Sequence, residues 1–88
     1  MKYKVVITSK AKKQMLKIDR FDAIRLKKWI ENNLINCTCP YFQGKMLKGN
    51  LSCYWLYGIG DYRIISLINE SDLSICIINI GHRKNLYE

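Results

Sequence analysis

An unbroken apolar run near the carboxyl end constrains the fold of this chain more than any other feature. The run Ile75-Cys76-Ile77-Ile78 contains no polar residue that would mark a solvent-facing side, so it predicts an interior strand buried on both faces. The chain has only 88 residues, and a domain of this size buries roughly 60–65% of its unfolded surface. We therefore predict one domain, residues 1–88, whose core is a single contact between helices and a sheet.

The periodicity of apolar residues predicts the element order β-α-α-β-β-β. Ser9 is suited to cap the first helix, and Asp19-Arg20 marks a tight break before the second. Two helices joined by so short a link are expected to form an antiparallel hairpin. The predicted class is therefore α+β, with a helical hairpin packed on a small, mostly antiparallel sheet. The expected elements are strands over residues 2–8, 53–57, 62–68 and 73–80, helices over 10–18 and 21–34, and a further short strand over 45–48 before a Gly49-Asn50 turn.

The charge is strongly basic and unevenly distributed. The chain has fifteen Lys and Arg residues and seven Asp and Glu residues, which gives a net charge of +8. Ten of the basic side chains lie within residues 1–30. This bias indicates a polyanionic partner such as RNA, DNA or an acidic protein, although a solvated helical surface is the simpler alternative. A membrane surface is disfavoured because the first helix lacks a face rich in Trp, Phe and Leu. The candidate RNA-binding residues are Lys12, Lys13, Lys27, Lys28, Lys45 and Lys48.

The hydropathy of the chain leads us to expect a cytoplasmic protein. The start of the chain lacks the roughly 7–15 apolar residues of a signal peptide, and no run approaches the ~18 residues needed to span a bilayer. In that compartment the four cysteines are expected to be reduced thiols. Cys37 and Cys39 are spaced C-x-C, without a second pair, and His82 is the only histidine, so we expect neither a metal nor another cofactor.

Two arginines, the histidine and a tyrosine are expected to converge at one edge of the sheet. Arg63 opens one predicted strand and Arg83 follows the end of the next, and a meander places the start of one strand beside the end of its neighbour. His82 adjoins Arg83, and Tyr87 follows closely. Guanidinium groups, an imidazole and a phenol at one edge form an anion site that suits a phosphodiester. The candidate catalytic residues are therefore Arg63, His82, Arg83 and Tyr87.

Cleavage of RNA requires these types of side chain. The 2′-OH must lose a proton and attack the adjacent phosphorus, and the departing 5′-oxygen must gain a proton. Arg63 and Arg83 would stabilise the charge that develops on the phosphoryl oxygens. His82 is the natural proton carrier, and Tyr87 could donate a hydrogen bond or stack on a base. This scheme needs no metal.

Each candidate also has a purely structural interpretation. Arg63 could be a surface residue at a strand end, and His82 with Arg83 could cap the sheet through backbone hydrogen bonds. Tyr87 could anchor the carboxyl end by packing. Asp61 is better explained as a turn residue than as an acid.

From residue 44 onward the chain contains a series of short motifs in a characteristic order. They are Gly44-Lys45-Met46-Leu47-Lys48-Gly49-Asn50-Leu51-Ser52, Trp55, Gly60-Asp61-Tyr62-Arg63-Ile64-Ile65, Ile80-Gly81-His82-Arg83 and Tyr87. With these motifs and the leading strand and helical hairpin, the sequence resembles the RelE/ParE superfamily of toxins over nearly its whole length. The resemblance implies a RelE-like toxin domain, an acidic RelB-like antitoxin as partner and a toxin–antitoxin hetero-oligomer.

The resemblance also implies a reaction. Arg63, Arg83 and Tyr87 match positions that RelE-type toxins use to cut mRNA in the ribosomal A site, so the ribosome and mRNA are implied as partners. The chain departs from that pattern at Leu56 and Gly58, where arginines are expected. Either His82 then acts as the base, or activity is weakened, or the target differs.

Three functions remain open at this point. A ribosome-dependent mRNA endonuclease is favoured because the four candidate catalytic residues occur together. A ParE-like toxin that inhibits DNA gyrase without nuclease activity is the first alternative. A nucleic-acid-binding module that has lost catalysis is the second, and the missing strand arginines are the feature that supports it.

Overall fold

A computed structural model describes residues 1–47 and 54–86, which form two helices packed on a five-stranded sheet and a short third helix. The predicted α+β class is confirmed. The predicted Gly49-Asn50 turn lies outside the described residues. The elements are β1 (Lys4–Ile7), α1 (Ser9–Leu16), α2 (Arg20–Asn33), β2 (Lys45–Met46), β3 (Trp55–Ile59), β4 (Tyr62–Asn69), β5 (Ser74–His82) and α3 (Arg83–Leu86).

The sheet has the strand order β1-β5-β4-β3-β2, in which β1 runs parallel to β5 and the other neighbours are antiparallel. The predicted interior position of the apolar run is confirmed, since β5 lies between β1 and β4. Ile75 and Ile77 are fully buried, whereas Cys76 and Ile78 on the opposite face are only partly buried. The predicted burial therefore holds for one face of β5, and the other face is incompletely covered.

The helices begin at side chains that satisfy free backbone N–H groups. Thr8, not the predicted Ser9, caps α1, since its hydroxyl oxygen accepts a hydrogen bond from the Ala11 N–H at 3.2 Å. The same hydroxyl donates to the Ile77 carbonyl at 3.0 Å, which ties the start of α1 to β5 and explains the shift by one residue. Asp19 caps α2 by accepting from the Phe21 N–H at 3.1 Å.

The main core lies between the two helices and one face of the sheet. Leu26, Ile30 and Leu34, predicted from their helical spacing, are all buried there, and burying such a side chain contributes roughly 1.5–3 kcal/mol. We call this side of the sheet the helix face. The core residues are Tyr3, Ala11, Leu26, Ile30, Leu34, Tyr57, Ile64, Ile75, Ile77 and Ile80.

The opposite side, which we call the outer face, has a smaller apolar cluster formed by Leu47, Leu56 and Ile65. In β3 and β4 the residues of the two clusters alternate, as a strand with two different faces requires. Among the described residues, no helix is both long and apolar enough to cross a membrane.

The loop between α2 and β2 is held on β3 by aromatic side chains. The Tyr57 hydroxyl donates to the Pro40 carbonyl at 2.6 Å, and the Trp55 Nε1–H donates to the Gln43 carbonyl at 2.7 Å. Gly44 follows with φ +82°, and a Cβ there would lie 2.8 Å from Trp55 Nε1. These contacts fix the position of the loop on β3.

Tyr57→Phe is expected to lower the free energy of unfolding by about 1–2 kcal/mol near neutral pH, because the buried Pro40 carbonyl loses its donor. Burial raises the pKa of the Tyr57 hydroxyl far above its usual range. In the unfolded chain the pKa of a tyrosine hydroxyl is about 10. Because the pKa of Tyr57 is higher in the folded protein, its contribution to the free energy of unfolding is complete below about pH 10 and is lost as the pH rises above that value. The substitution should therefore also reduce the decline in stability above about pH 10. Urea unfolding across this range measures both effects, and an equal result for the control Tyr54→Phe would contradict the assignment.

Candidate functional site

The beginning of β4 and the end of β5 are neighbours, as the sequence predicts. Arg63 is paired with Gly81, and Tyr62 is paired with His82. The Arg83 N–H donates to the Asp61 carbonyl at 2.8 Å and closes this end of the sheet. Arg63, His82 and Arg83 therefore share one end of the sheet, while Tyr87 lies outside the described residues.

The strand register separates these side chains between the two faces. Residues directly paired across antiparallel strands share a face, and successive residues alternate. Tyr62 and His82 therefore lie on the helix face, in line with Ile64 and Ile80. Arg63 lies on the outer face between Gly58 and Gly81. The shared end of the sheet is confirmed, but it does not bring the imidazole and the guanidinium of Arg63 to the same side.

His82 is half-buried between Tyr62 and the start of α3. Its ring centroid is 5.7 Å from that of Tyr62, with an interplanar angle of 73°. The Nδ1 atom accepts a hydrogen bond from the Lys84 N–H at 3.2 Å, so in this arrangement the ring proton is on Nε2. The neutral ring thus presents an Nε2–H donor that can form a hydrogen bond to an oxygen of a ligand. Nε2 can accept a proton only when Nδ1 is protonated and no longer accepts from the Lys84 N–H.

Tyr62 connects this end of the sheet to α2. Its hydroxyl donates to Asp22 Oδ2 at 3.1 Å. Burial and, second, this hydrogen bond to the carboxylate raise the pKa of the Tyr62 hydroxyl above its usual range. Tyr62 therefore remains a neutral hydrogen-bond donor at physiological pH and is unsuited to act as a base.

Arg63 is half-buried and its guanidinium has a defined orientation. Nη1 donates to the Gly60 carbonyl at 3.0 Å and to the Tyr62 carbonyl at 2.9 Å. The group lies over Gly58, where an added Cβ would be 3.1 Å from Nη1. Within residues 1–47 and 54–86, the Nε–Nη2 edge has no hydrogen-bond partner. This edge can bind two oxygens of an anion.

The candidate RNA-binding lysines occupy two separate surfaces. Lys45 is exposed and pairs with Leu56, so it lies on the outer face with Arg63. Lys48 lies outside the described residues. The remaining candidates are on the helices, on the other side of the sheet, and all are exposed: Lys12, Lys13, Lys27 and Lys28.

Gln14 supports the site in a way that was not predicted from the sequence. β1 pairs with β5 only as far as Ile77, so the rest of that edge of β5 has no strand partner among the described residues. Gln14 Oε1 accepts from the Ile80 N–H at 2.7 Å, and Nε2 donates to Asn79 Oδ1 at 3.1 Å. A glutamine at helical spacing from the buried Ala11 was the available signal. Gln14 thus fixes β5 immediately before Gly81-His82-Arg83.

The short helix α3, which begins directly after His82, was also not predicted. Arg83 and Lys84 are exposed on its first turn. The helix follows from the last residue of β5 without a turn motif, so the local sequence contained little to indicate it.

Gln14→Ala is expected to reduce the free energy of unfolding by about 1–3 kcal/mol, because the Ile80 N–H would lose its acceptor in a partly buried position. The neighbouring exposed Lys13→Ala is the matched control and should change stability by less than about 0.5 kcal/mol. Urea denaturation of both variants measures the difference. Equal stabilities would show that water replaces the Gln14 side chain.

The comparisons with known proteins agree with this architecture. A family model for the ParE toxin of type II toxin–antitoxin systems matches residues 5–87. No curated protein shows a significant sequence match.

Solved structures share the fold at low sequence identity. The RelBE2 toxin–antitoxin complex from Mycobacterium tuberculosis matches with a TM-score of 0.85 and 21% identity, over 97% of this chain and 95% of that chain. The isolated RelE toxin of E. coli matches with a TM-score of 0.72 and 18% identity, over 91% and 83%. The archaeal RelE–RelB complex from Pyrococcus horikoshii matches with a TM-score of 0.67 and 20% identity, over 98% and 100%. The resemblance drawn from the sequence motifs is confirmed, and the chain belongs to the ParE toxin family, within the RelE/ParE superfamily of type II toxin–antitoxin toxins.

Proposed function

We propose that this protein is a toxin that cleaves mRNA on the translating ribosome. One observation carries the proposal: Arg63 is a half-buried, oriented guanidinium on the outer face, at the same end of the sheet as Arg83. Within the described residues, the single ion pair joins Arg25 to Asp22, so neither of these two arginines is neutralised by a carboxylate there. An oriented cation without an internal counter-ion is suited to an external phosphate.

The roles follow the chemistry of attack by a 2′-OH. Arg63 and Arg83 bind the scissile phosphate and stabilise the charge that develops on its oxygens. His82 is assigned the role of proton carrier, either taking the proton from the 2′-OH or giving one to the departing 5′-oxygen. Either step requires Nδ1 to be protonated and to release the Lys84 N–H, because a neutral ring with its proton on Nε2 cannot accept another proton there. Because His82 and Arg63 lie on opposite faces, both act on one phosphate only if that phosphate lies at the end of β5, beside Arg83. Tyr87 is assigned hydrogen bonding to the phosphate or stacking on a base.

The basic surfaces have complementary roles in this proposal. Lys45 contacts the mRNA beside the site, Lys48 is assigned a phosphate contact from the sequence alone, and the helical lysines dock on ribosomal RNA. The exposure of the four helical lysines supports such docking, since binding to phosphates needs accessible cations.

The proposed protein partner is an acidic, RelB-like antitoxin that forms a hetero-oligomer with this toxin in the cytoplasm. The net charge of +8 supports an acidic partner. The similar structures from Mycobacterium tuberculosis and Pyrococcus horikoshii are themselves complexes of a toxin with its antitoxin.

Inhibition of DNA gyrase is the second candidate function. It is favoured by the matching family model, which is that of the ParE toxin, and by β3, whose residues Trp55–Ile59 include no basic side chain. A gyrase inhibitor would act by binding protein and would not need a proton carrier.

Arg83→Ala and Arg63→Ala are each expected to reduce mRNA cleavage by about 100-fold, because each removes a cation from the developing phosphoryl charge. Primer extension on mRNA after induction should show new 5′ ends at codon positions for the wild type and for the control Arg20→Ala, an exposed arginine of α2. Unchanged cleavage and growth arrest in both site variants would refute the site. A DNA-damage response with intact mRNA would identify gyrase as the target.

Replacing Lys12 and Lys13 together by Ala is expected to weaken ribosome binding and to flatten its salt dependence. For every phosphate that is no longer neutralised, the slope of log affinity against log salt should decrease in magnitude by about 0.7–0.9. Sedimentation with ribosomes at several salt concentrations measures the slope, with Lys2→Ala as the control for a single exposed charge. A slope equal to that of the wild type would exclude these lysines from the docking surface.

A further inference from the structure

We propose that Gly58 is a positioning residue for phosphate binding. Because glycine has no side chain, the Arg63 guanidinium can lie across β3 and keep its Nε–Nη2 edge for a phosphodiester. The inference rests on the proposed function, because it assigns the means by which that site orients its cation.

The register of the outer face places Arg63 between two glycines. Arg63 is paired with Gly58 on β3 and with Gly81 on β5. Its long side chain therefore has a residue without a side chain on each flanking strand. A glycine on a neighbouring strand leaves room for the long side chain of Arg63 to lie close to the backbone.

The backbone does not require glycine at position 58. Gly44 and Gly60 have positive φ angles, which favour glycine, whereas Gly58 does not. A glycine within a strand weakens that strand because it has greater conformational freedom in the unfolded chain and no side chain to pack. At this position, where the resemblance to RelE-type toxins leads to the expectation of an arginine, the space above Gly58 is occupied by Arg63.

A side chain at position 58 would crowd the guanidinium of Arg63. A Cβ added to Gly58 would lie 3.1 Å from Nη1, 3.3 Å from Cζ and 3.5 Å from Nε of Arg63, so the guanidinium would have to move by a few tenths of an ångström. The group has little freedom to retreat, because Nη1 is bonded to the Gly60 and Tyr62 carbonyls. Displacing it would lengthen those hydrogen bonds and turn the Nε–Nη2 edge.

The donors that remain on Arg63 match a phosphate. Nη1 has two hydrogens, and its two carbonyl acceptors use both. The Nε–H and one Nη2–H form a planar fork that fits two oxygens of a phosphate. A lysine at this position would supply charge without this fork.

The apolar surroundings of Arg63 strengthen its attraction for an anion. Leu56 and Ile65, the next pair on the same face, are buried and apolar. An apolar wall beside a half-buried guanidinium reduces solvent screening, and electrostatic attraction increases as screening falls.

The test compares Gly58→Ala and Gly58→Val in the wild-type protein and in Arg63→Ala. Binding of a short fluorescein-labelled RNA is measured by anisotropy, and mRNA cleavage on ribosomes is measured in parallel. Gly58→Val should weaken RNA binding by about tenfold, the effect of losing one charged hydrogen bond, and Gly58→Ala by less. Neither substitution should weaken binding further in Arg63→Ala. The control Ile59→Ala perturbs β3 from the helix face, and it should leave RNA affinity unchanged once folding is verified by thermal melting.

The outcomes separate this inference from the proposed function. RNA affinity unchanged by Gly58→Val, or reduced equally with and without Arg63, overturns the positioning role even when the wild type cleaves mRNA. If Gly58→Val weakens RNA binding in the wild type but not in Arg63→Ala, the positioning role of Gly58 is supported. This holds even when no mRNA is cleaved and the nuclease proposal fails. A wild-type protein that binds no RNA overturns the inference.

Discussion

The packing of α2 on the sheet is the contact on which the rest of the structure depends. Leu26, Ile30 and Leu34 share one buried cluster with residues of β3, β4 and β5, and most of the buried apolar residues belong to this cluster. Two helices are enough to cover only one face of a five-stranded sheet. The outer face therefore has only a small apolar cluster, and it leaves room for polar groups such as Arg63.

The sheet distributes the chemical groups of the site between its two faces. Alternation along β4 and β5 places His82 with the core and Arg63 on the outer face, although they are close in the register. The groups meet only around the end of the sheet, where Arg83 begins α3. The proposed site is therefore an edge around which a strand of RNA could bend, and it is not an enclosed pocket. This geometry explains why support from neighbouring elements, such as Gln14 on β5 and the turn carbonyls on Arg63, is needed to orient the side chains.

The elements with strong local patterns were predicted well from the sequence. Ile75-Cys76-Ile77-Ile78 indicated an interior strand, and the spacing of Leu26, Ile30 and Leu34 indicated the buried side of α2, because burial selects apolar residues at the period of each element. Boundaries were less accurate: Thr8 replaced Ser9 as the cap because its hydroxyl also bonds to β5, a contact between residues far apart in sequence. The helix α3 and the role of Gln14 were not predicted, and both involve partners that are distant in sequence.

The sequence by itself determined the class of fold, the basic character of the chain and the family, since these follow from periodicity, composition and ordered motifs. It also determined that Arg63 and His82 would lie at one end of the sheet, because a meander joins neighbouring strands. Only the tertiary structure decided on which face each side chain lies, because a shift of one residue in register reverses every side chain of a strand. It also decided that Arg63 occupies the space above Gly58, since the pairing of two strands and the carbonyls of Gly60 and Tyr62 together orient the guanidinium.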